Sequence, residues 1–142
     1  VSSTDQALMV GRLSVALSRL TRWLRRGDTS GLGPGSIGAL ATVARSGPIR
    51  LGDLATREDM APPTLTRVVA LLEEQHLVSK GPDPADRRAT LVGITPQGQD
   101  LMDRLVEARM QRLSERVAAL DEEQREILVR AVPVLEALTA QS

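Results

Sequence analysis

At residues 83–88 the chain reads DPADRR, set between the runs LVSKGP (77–82) and ATLVGI (89–94). Leu77, Val78, Leu91, Val92 and Ile94 sit in runs too short for helices and follow a period of two. The spacing therefore predicts a two-stranded hairpin with DPADRR at its tip. Asp-Pro and Asp are ordinary turn chemistry, and a charged tip taken alone is a solvated turn. What precedes the hairpin decides otherwise.

Upstream lie three short helical patterns. SIGALATVARS (36–46) has Ser36 as its cap and is stopped by Gly47 and Pro48. LGDLATRE (51–58) reads as a short helix. PTLTRVVALLEEQ (63–75) reads as another, with Pro63 in the first turn, where a missing N–H costs nothing. Leu65, Val68, Val69 and Leu72 face inward on it, which leaves Thr64, Thr66, Arg67 and Ala70 outward. The last two of these helices, joined by the tight turn EDMAP, match a helix-turn-helix. A charged hairpin directly after it makes the unit winged. In that geometry the helix over 63–75 enters the major groove and offers Thr64, Thr66 and Arg67 to base edges and phosphates. The tip carries Arg87 or Arg88 to the adjacent minor groove or backbone, where a narrow groove favours arginine. Lys80, at the hairpin's base, is a further candidate contact.

Working outward, DQALMVGRLSVALSRLTRWLRR (5–26) places Met9, Leu13, Ala16, Leu17, Leu20, Trp23 and Leu24 at helical spacing, with Asp5 as the cap and Arg25 and Arg26 at the end that favours cations. After the hairpin, Thr95 and Pro96 restart a helix over 96–119. Asp121 to Gln124 reads as a capping box for a helix over 122–139, which Pro133 should kink. The fold class expected is mainly α with a small β-hairpin wing. One domain (1–142) holds a winged helix-turn-helix at 34–95, flanked by terminal helices at 5–28 and 96–142. The terminal helices have no core of their own and bury their faces on each other and on a second copy of the chain.

Composition excludes whole classes of chemistry. There is no cysteine, and His76 is the single histidine, which rules out disulfides, thiol redox sensing and histidine-based metal or catalytic centres. No metal, cofactor or enzymatic activity is expected. No run of about 18 apolar residues occurs and the N-terminus lacks a signal pattern, so the expectation is a cytoplasmic protein without a membrane partner. Net charge is zero, and Lys80 is the one lysine beside many arginines. Between residues 50 and 95, Arg50, Arg57, Arg67, Lys80, Arg87 and Arg88 stand against Asp53, Glu58, Asp59, Glu73, Glu74, Asp83 and Asp86. DNA binding then requires the positive charge to be sorted to one face.

LVSKGPDPADRRATLVGITPQGQDL (77–101) resembles the wing signature of the MarR family of transcriptional regulators. PPTLTRVVALLEEQHLV (62–78) resembles that family's recognition helix and its exit, and LGDLA (51–55) the helix before it. The resemblance spans nearly the whole chain. It implies a homodimer that binds a pseudopalindromic DNA operator, dimerises through the first and last two helices, and is often released by a small, commonly aromatic, effector. It also implies a stabilising wing pair, with Asp86 and Arg88 as the pair and Arg87 as the DNA contact, or the two arginines exchanged. The effector would sit between the first, second and fifth helices, near Trp23 and Arg22. Trp23 can stack on a planar ligand or serve as a core anchor. The chain departs from the family pattern at His76 and Asp59, where glycine is frequent. A left-handed residue other than glycine costs about 1 kcal/mol, so the helix before His76 is expected to end differently, with His76 capping free carbonyls. Two other readings remain in view: a DNA binder that answers to no ligand, and a dimeric helical adaptor, which the neutral charge motivates.

Overall fold

The computed structural model describes residues 1–140. In chain order the elements are α1 (Ser3–Arg25), α2 (Pro34–Ser46), β1 (Ile49–Arg50), α3 (Leu51–Arg57), α4 (Pro62–Glu74), β2 (Val78–Pro82), β3 (Thr90–Ile94), α5 (Pro96–Ala118) and α6 (Glu122–Thr139). They divide into a middle unit, Asp28–Glu107, and a terminal unit of Val1–Gly27 with the chain from Ala108 onward.

The middle unit holds the core. Leu40 and Val43 of α2, Leu54 of α3, and Leu65, Val69 and Leu72 of α4 are fully buried, and Val92 of β3 closes the cluster. With no Phe or Tyr in the chain, the interior is built from branched aliphatic side chains. The sheet is antiparallel with order β1-β3-β2. The expected hairpin is therefore present but has a third strand: Ile49 pairs with Val92 and Arg50 with Leu91. Two residues are too few to carry a periodic signal, and their pairing reaches more than forty positions along the chain. Because successive strand residues face opposite sides, Ile49 and Val92 point into the core. Arg50, Leu91 and Gly81 form the next row, on the outer face.

Several helix ends differ from expectation. Ser2, not Asp5, caps α1: its hydroxyl accepts the Asp5 N–H (3.1 Å) and donates to the Asp5 carboxylate (2.7 Å). Gly33 caps α2, with Pro34 as its first residue, and Ser36 is buried inside the helix. Thr95 behaves as expected, accepting the Gly98 N–H (3.0 Å) while its hydroxyl donates to the His76 carbonyl (2.6 Å). The Asp121–Gln124 capping box is formed in both directions. α6 continues through Pro133 to Thr139.

The sharpest correction is at His76. It takes the left-handed conformation (φ 61°) that glycine would. Its N–H donates to the Glu73 carbonyl and the Leu77 N–H to Leu72, both at 2.9 Å, which closes a Schellman motif. Asp59 (φ 51°) does the same after α3, through Asp59 N–H to Thr56 and Met60 N–H to Ala55. The backbone bonds and the burial of Leu77 outweigh the steric cost, so both helices end as glycine would end them. His76→Gly and Asp59→Gly should each raise the unfolding free energy by about 0.5 kcal/mol, relief of the Cβ clash being partly offset by glycine's unfolded-state freedom. Urea denaturation of each variant checks this, and a loss of stability would mean that the side chain itself contributes to the turn.

The terminal unit contrasts with the middle. Neither α1 nor α6 has a buried residue. Arg112 of α5 donates to the Leu24 carbonyl at the end of α1 (2.8 Å), and Arg125 of α6 donates to the Leu120 carbonyl just beyond α5 (2.9 Å). Leu8, Met9, Leu17 and Leu20 on α1 and Ile127, Val132 and Leu138 on α6 are exposed.

Candidate nucleic-acid interface

α4 opens on Ala61-Pro62-Pro63. The prolines pre-set the helical φ at positions that need no N–H donor, so the helix starts abruptly and its first turn is solvent-facing. Thr64, Thr66, Arg67 and Ala70 are exposed along it, opposite the buried Leu65, Val69 and Leu72. The Thr66 hydroxyl donates to the Pro62 carbonyl four residues back (2.9 Å). Its proton is thereby occupied, which leaves Thr66 an acceptor oxygen and a methyl group to offer to a partner. Sequence spacing places Thr66 outward but does not foresee that bond.

The wing is β2, β3 and the loop 83–89. Five paired positions run from Val78↔Ile94 to Pro82↔Thr90. The loop is then closed by Asp83 N–H to Ala89 (3.0 Å), Asp86 N–H to Asp83 (3.2 Å) and Ala89 N–H to Asp86 (2.9 Å). Arg87 and Arg88 are both exposed at the tip. Arg88 reaches Asp86 at 3.4 Å, with its side chain 95% exposed, the geometry of a weak surface contact. Lys80 is apart from the tip. It lies at the wing's base, 3.4 Å from Glu73 of α4.

A shorter pair lies elsewhere in the loop. Arg50 Nε donates to Asp83 Oδ2 at 2.6 Å, and the Asp83 side chain is only 9% exposed. Asp83 Oδ1 accepts the Ala85 N–H (2.9 Å). That backbone N–H, with the hydrogen bond and charge of Arg50, holds the Asp83 carboxyl below its ordinary range, against the opposing effect of burial. Arg50 sits 33 positions upstream, on the strand that periodicity misses. The visible signal for it was an arginine following Gly-Pro-Ile, which is indistinct by itself.

Residues 34–90, from the start of α2 to the first residue of β3, match the model of the MarR family. An uncharacterised HTH-type transcriptional regulator of Mycobacterium bovis is 37% identical over 97% of this chain and 97% of its own. The chain belongs to the MarR family. A MarR family protein from Bacillus stearothermophilus shares the fold over 99% of both chains, with a TM-score of 0.83 at 18% identity. BpsR of Bordetella bronchiseptica, whose DNA binding is regulated by 6-hydroxynicotinic acid, shares it over 89% of this chain and 91% of its own (TM-score 0.64, 24% identity). The protein is thus a DNA-binding transcriptional regulator built on a winged helix, and its relatives are regulators rather than enzymes. Among the described residues no helix is long and apolar enough to cross a membrane, and no cluster of potential metal ligands occurs.

In this MarR-family chain the sequence-predicted effector residues fall in the terminal unit. Trp23 is half-buried and belongs to no core. Arg112 and Arg116 of α5 each stand over its ring, 4.5 Å from the centroid. Such contacts are worth about 0.5–1 kcal/mol at exposed sites. Arg22, one residue earlier, is exposed. The residues that gather at Trp23 come from far along the chain, and helical periodicity within α1 gives no hint of them.

Proposed function

We propose that the protein is a repressor that binds a pseudopalindromic operator as a homodimer in the cytoplasm. α4 lies in the major groove, with Arg67 reading a base edge and Thr64 and Thr66 close to bases and phosphates. The wing carries Arg87 and Arg88 to the neighbouring minor groove or backbone, and Lys80 adds positive charge at the wing's base. The observation that carries this reading is the exposed face of α4 beside a wing whose tip presents two exposed arginines.

The unburied apolar faces of α1 and α6 support the homodimer, because a second copy removes them from water. The two recognition helices then read half-sites about 34–36 Å apart. An effector that favours a different spacing of those helices releases the DNA. A planar carboxylate near Trp23 and Arg22 is the chemistry these residues would accept, and the acid that regulates BpsR is a sensible first trial. The engagement of the Trp23 ring by Arg112 and Arg116 supports the alternative, a regulator that binds DNA without a ligand.

The test is fluorescence anisotropy with the duplex flanking the protein's own coding region, at two salt concentrations. Binding should weaken steeply with salt. Arg67→Ala and Arg87→Ala should each lose about tenfold or more in affinity, and Arg67→Ala should also relax the preference at one base pair. Absence of binding at low salt, to this duplex and to a random one, would overturn the DNA reading and favour the adaptor. Titration with aromatic acids separates the ligand-released repressor from the ligand-independent binder.

A further inference from the structure

The Arg50–Asp83 pair joins parts of the sheet that share no backbone hydrogen bonds. β1 and β2 flank β3 on opposite sides, and Asp83 directly follows β2. To reach it, the Arg50 side chain crosses the row Arg50–Leu91–Gly81, in which Gly81 leaves open space. Arg50 also occupies the N-cap position of α3, the first helix of the helix-turn-helix, without a side-chain capping bond. Asp83 is the first residue of the wing loop, and its carboxylate uses one oxygen on Arg50 and the other on the Ala85 N–H. A two-stranded hairpin is marginally ordered on its own. β1 and the buried Val78 and Val92 hold the base of this one, and the Arg50–Asp83 bond carries the anchorage on to the first residue of the tip loop.

We infer that Arg50 and Asp83 are positioning residues for DNA binding: their ion pair fixes the wing on β1 and α3, so that Arg87 and Arg88 meet the duplex from a rigid mount. This rests on the DNA reading above and adds residues to it that touch no DNA. The consequence is a result with the opposite sign from simple electrostatics. Removing a negative charge beside a polyanion should tighten binding. Removing this one loosens the mount and weakens it.

The experiment is operator binding by Asp83→Asn, which keeps an acceptor for the Ala85 N–H and discards the charge that holds Arg50. Affinity should fall about tenfold, the size of a lost arginine contact. In an Arg87→Ala/Arg88→Ala background the same change should cost less than about twofold, because a mount without its contacts has nothing to position. Arg50→Lys should bind better than Arg50→Ala, since it keeps a cation for Asp83. Thermal unfolding by circular dichroism confirms that each variant is folded. Cleavage by trypsin after Arg87 and Arg88 gives a readout free of DNA, and Asp83→Asn should speed it about tenfold. Unchanged or tighter operator binding by Asp83→Asn, or an equal loss in the arginine-free background, would overturn the inference. If wild type binds no duplex, the DNA reading fails instead, and an unchanged trypsin rate would remove the clamp as well.

Discussion

Gly98→Ala is expected to destabilise the middle unit by about 3 kcal/mol, the upper part of the range for forcing atoms into a packed site. Gly98 lies in the first turn of α5, where alanine would ordinarily be the better helix former by about 1 kcal/mol. Here a Cβ would stand 2.1 Å from the Leu77 carbonyl oxygen and 2.9 Å from Ile94 Cγ1. The carbonyl cannot retreat cheaply, because it also accepts the Thr95 N–H at 3.1 Å. Nor can the turn rotate, because the Thr95 hydroxyl ties it to the His76 carbonyl. Urea denaturation followed by circular dichroism measures the loss. A neutral or stabilising result would mean that α5 does not approach the exit of α4 this closely.

Leu72→Ala should cost about 3 kcal/mol, within the range for emptying a buried leucine site. Leu72 is fully buried between α4 and the rest of the core, and its carbonyl accepts the Leu77 N–H that ends the helix. The cavity would sit beneath the face proposed to read DNA, so affinity should fall along with stability. Leu71 is the control. It is 41% exposed, and Leu71→Ala should change stability by less than about 0.5 kcal/mol. A larger loss at Leu71 than at Leu72 would reverse the assignment of inward and outward faces of α4.

The helices, the wing and the outward face of α4 were legible because each rests on a local pattern: a period of 3.6, a period of two, or a proline or threonine at a helix start. What escaped reading depends on partners distant in sequence. β1 exists only because Ile49 and Arg50 find β3, and Arg50 acquires its role only when the sheet brings it to Asp83. The family resemblance points to Asp86 and Arg88, which do meet at 3.4 Å, but the shorter bond, at 2.6 Å, belongs to Asp83 and an arginine outside the motif. His76 misled for a different reason. A propensity rule priced its left-handed backbone correctly, but two hydrogen bonds and the buried Leu77 settle the conformation. The two guanidinium groups of α5 that stand over Trp23 are likewise invisible from α1 alone.

That tryptophan has a spectroscopic consequence. The chain has no tyrosine and no second indole, so all its near-ultraviolet emission arises from Trp23, in the unit that has no buried residue among those described. The far-ultraviolet ellipticity, by contrast, averages every helix. Denaturation followed by both signals therefore compares one end of the molecule with the whole. If the curves superimpose, the terminal helices and the DNA-reading unit melt as one cooperative body. If emission changes first and shifts with protein concentration, the ends are ordered by association, and the winged helix outlasts them.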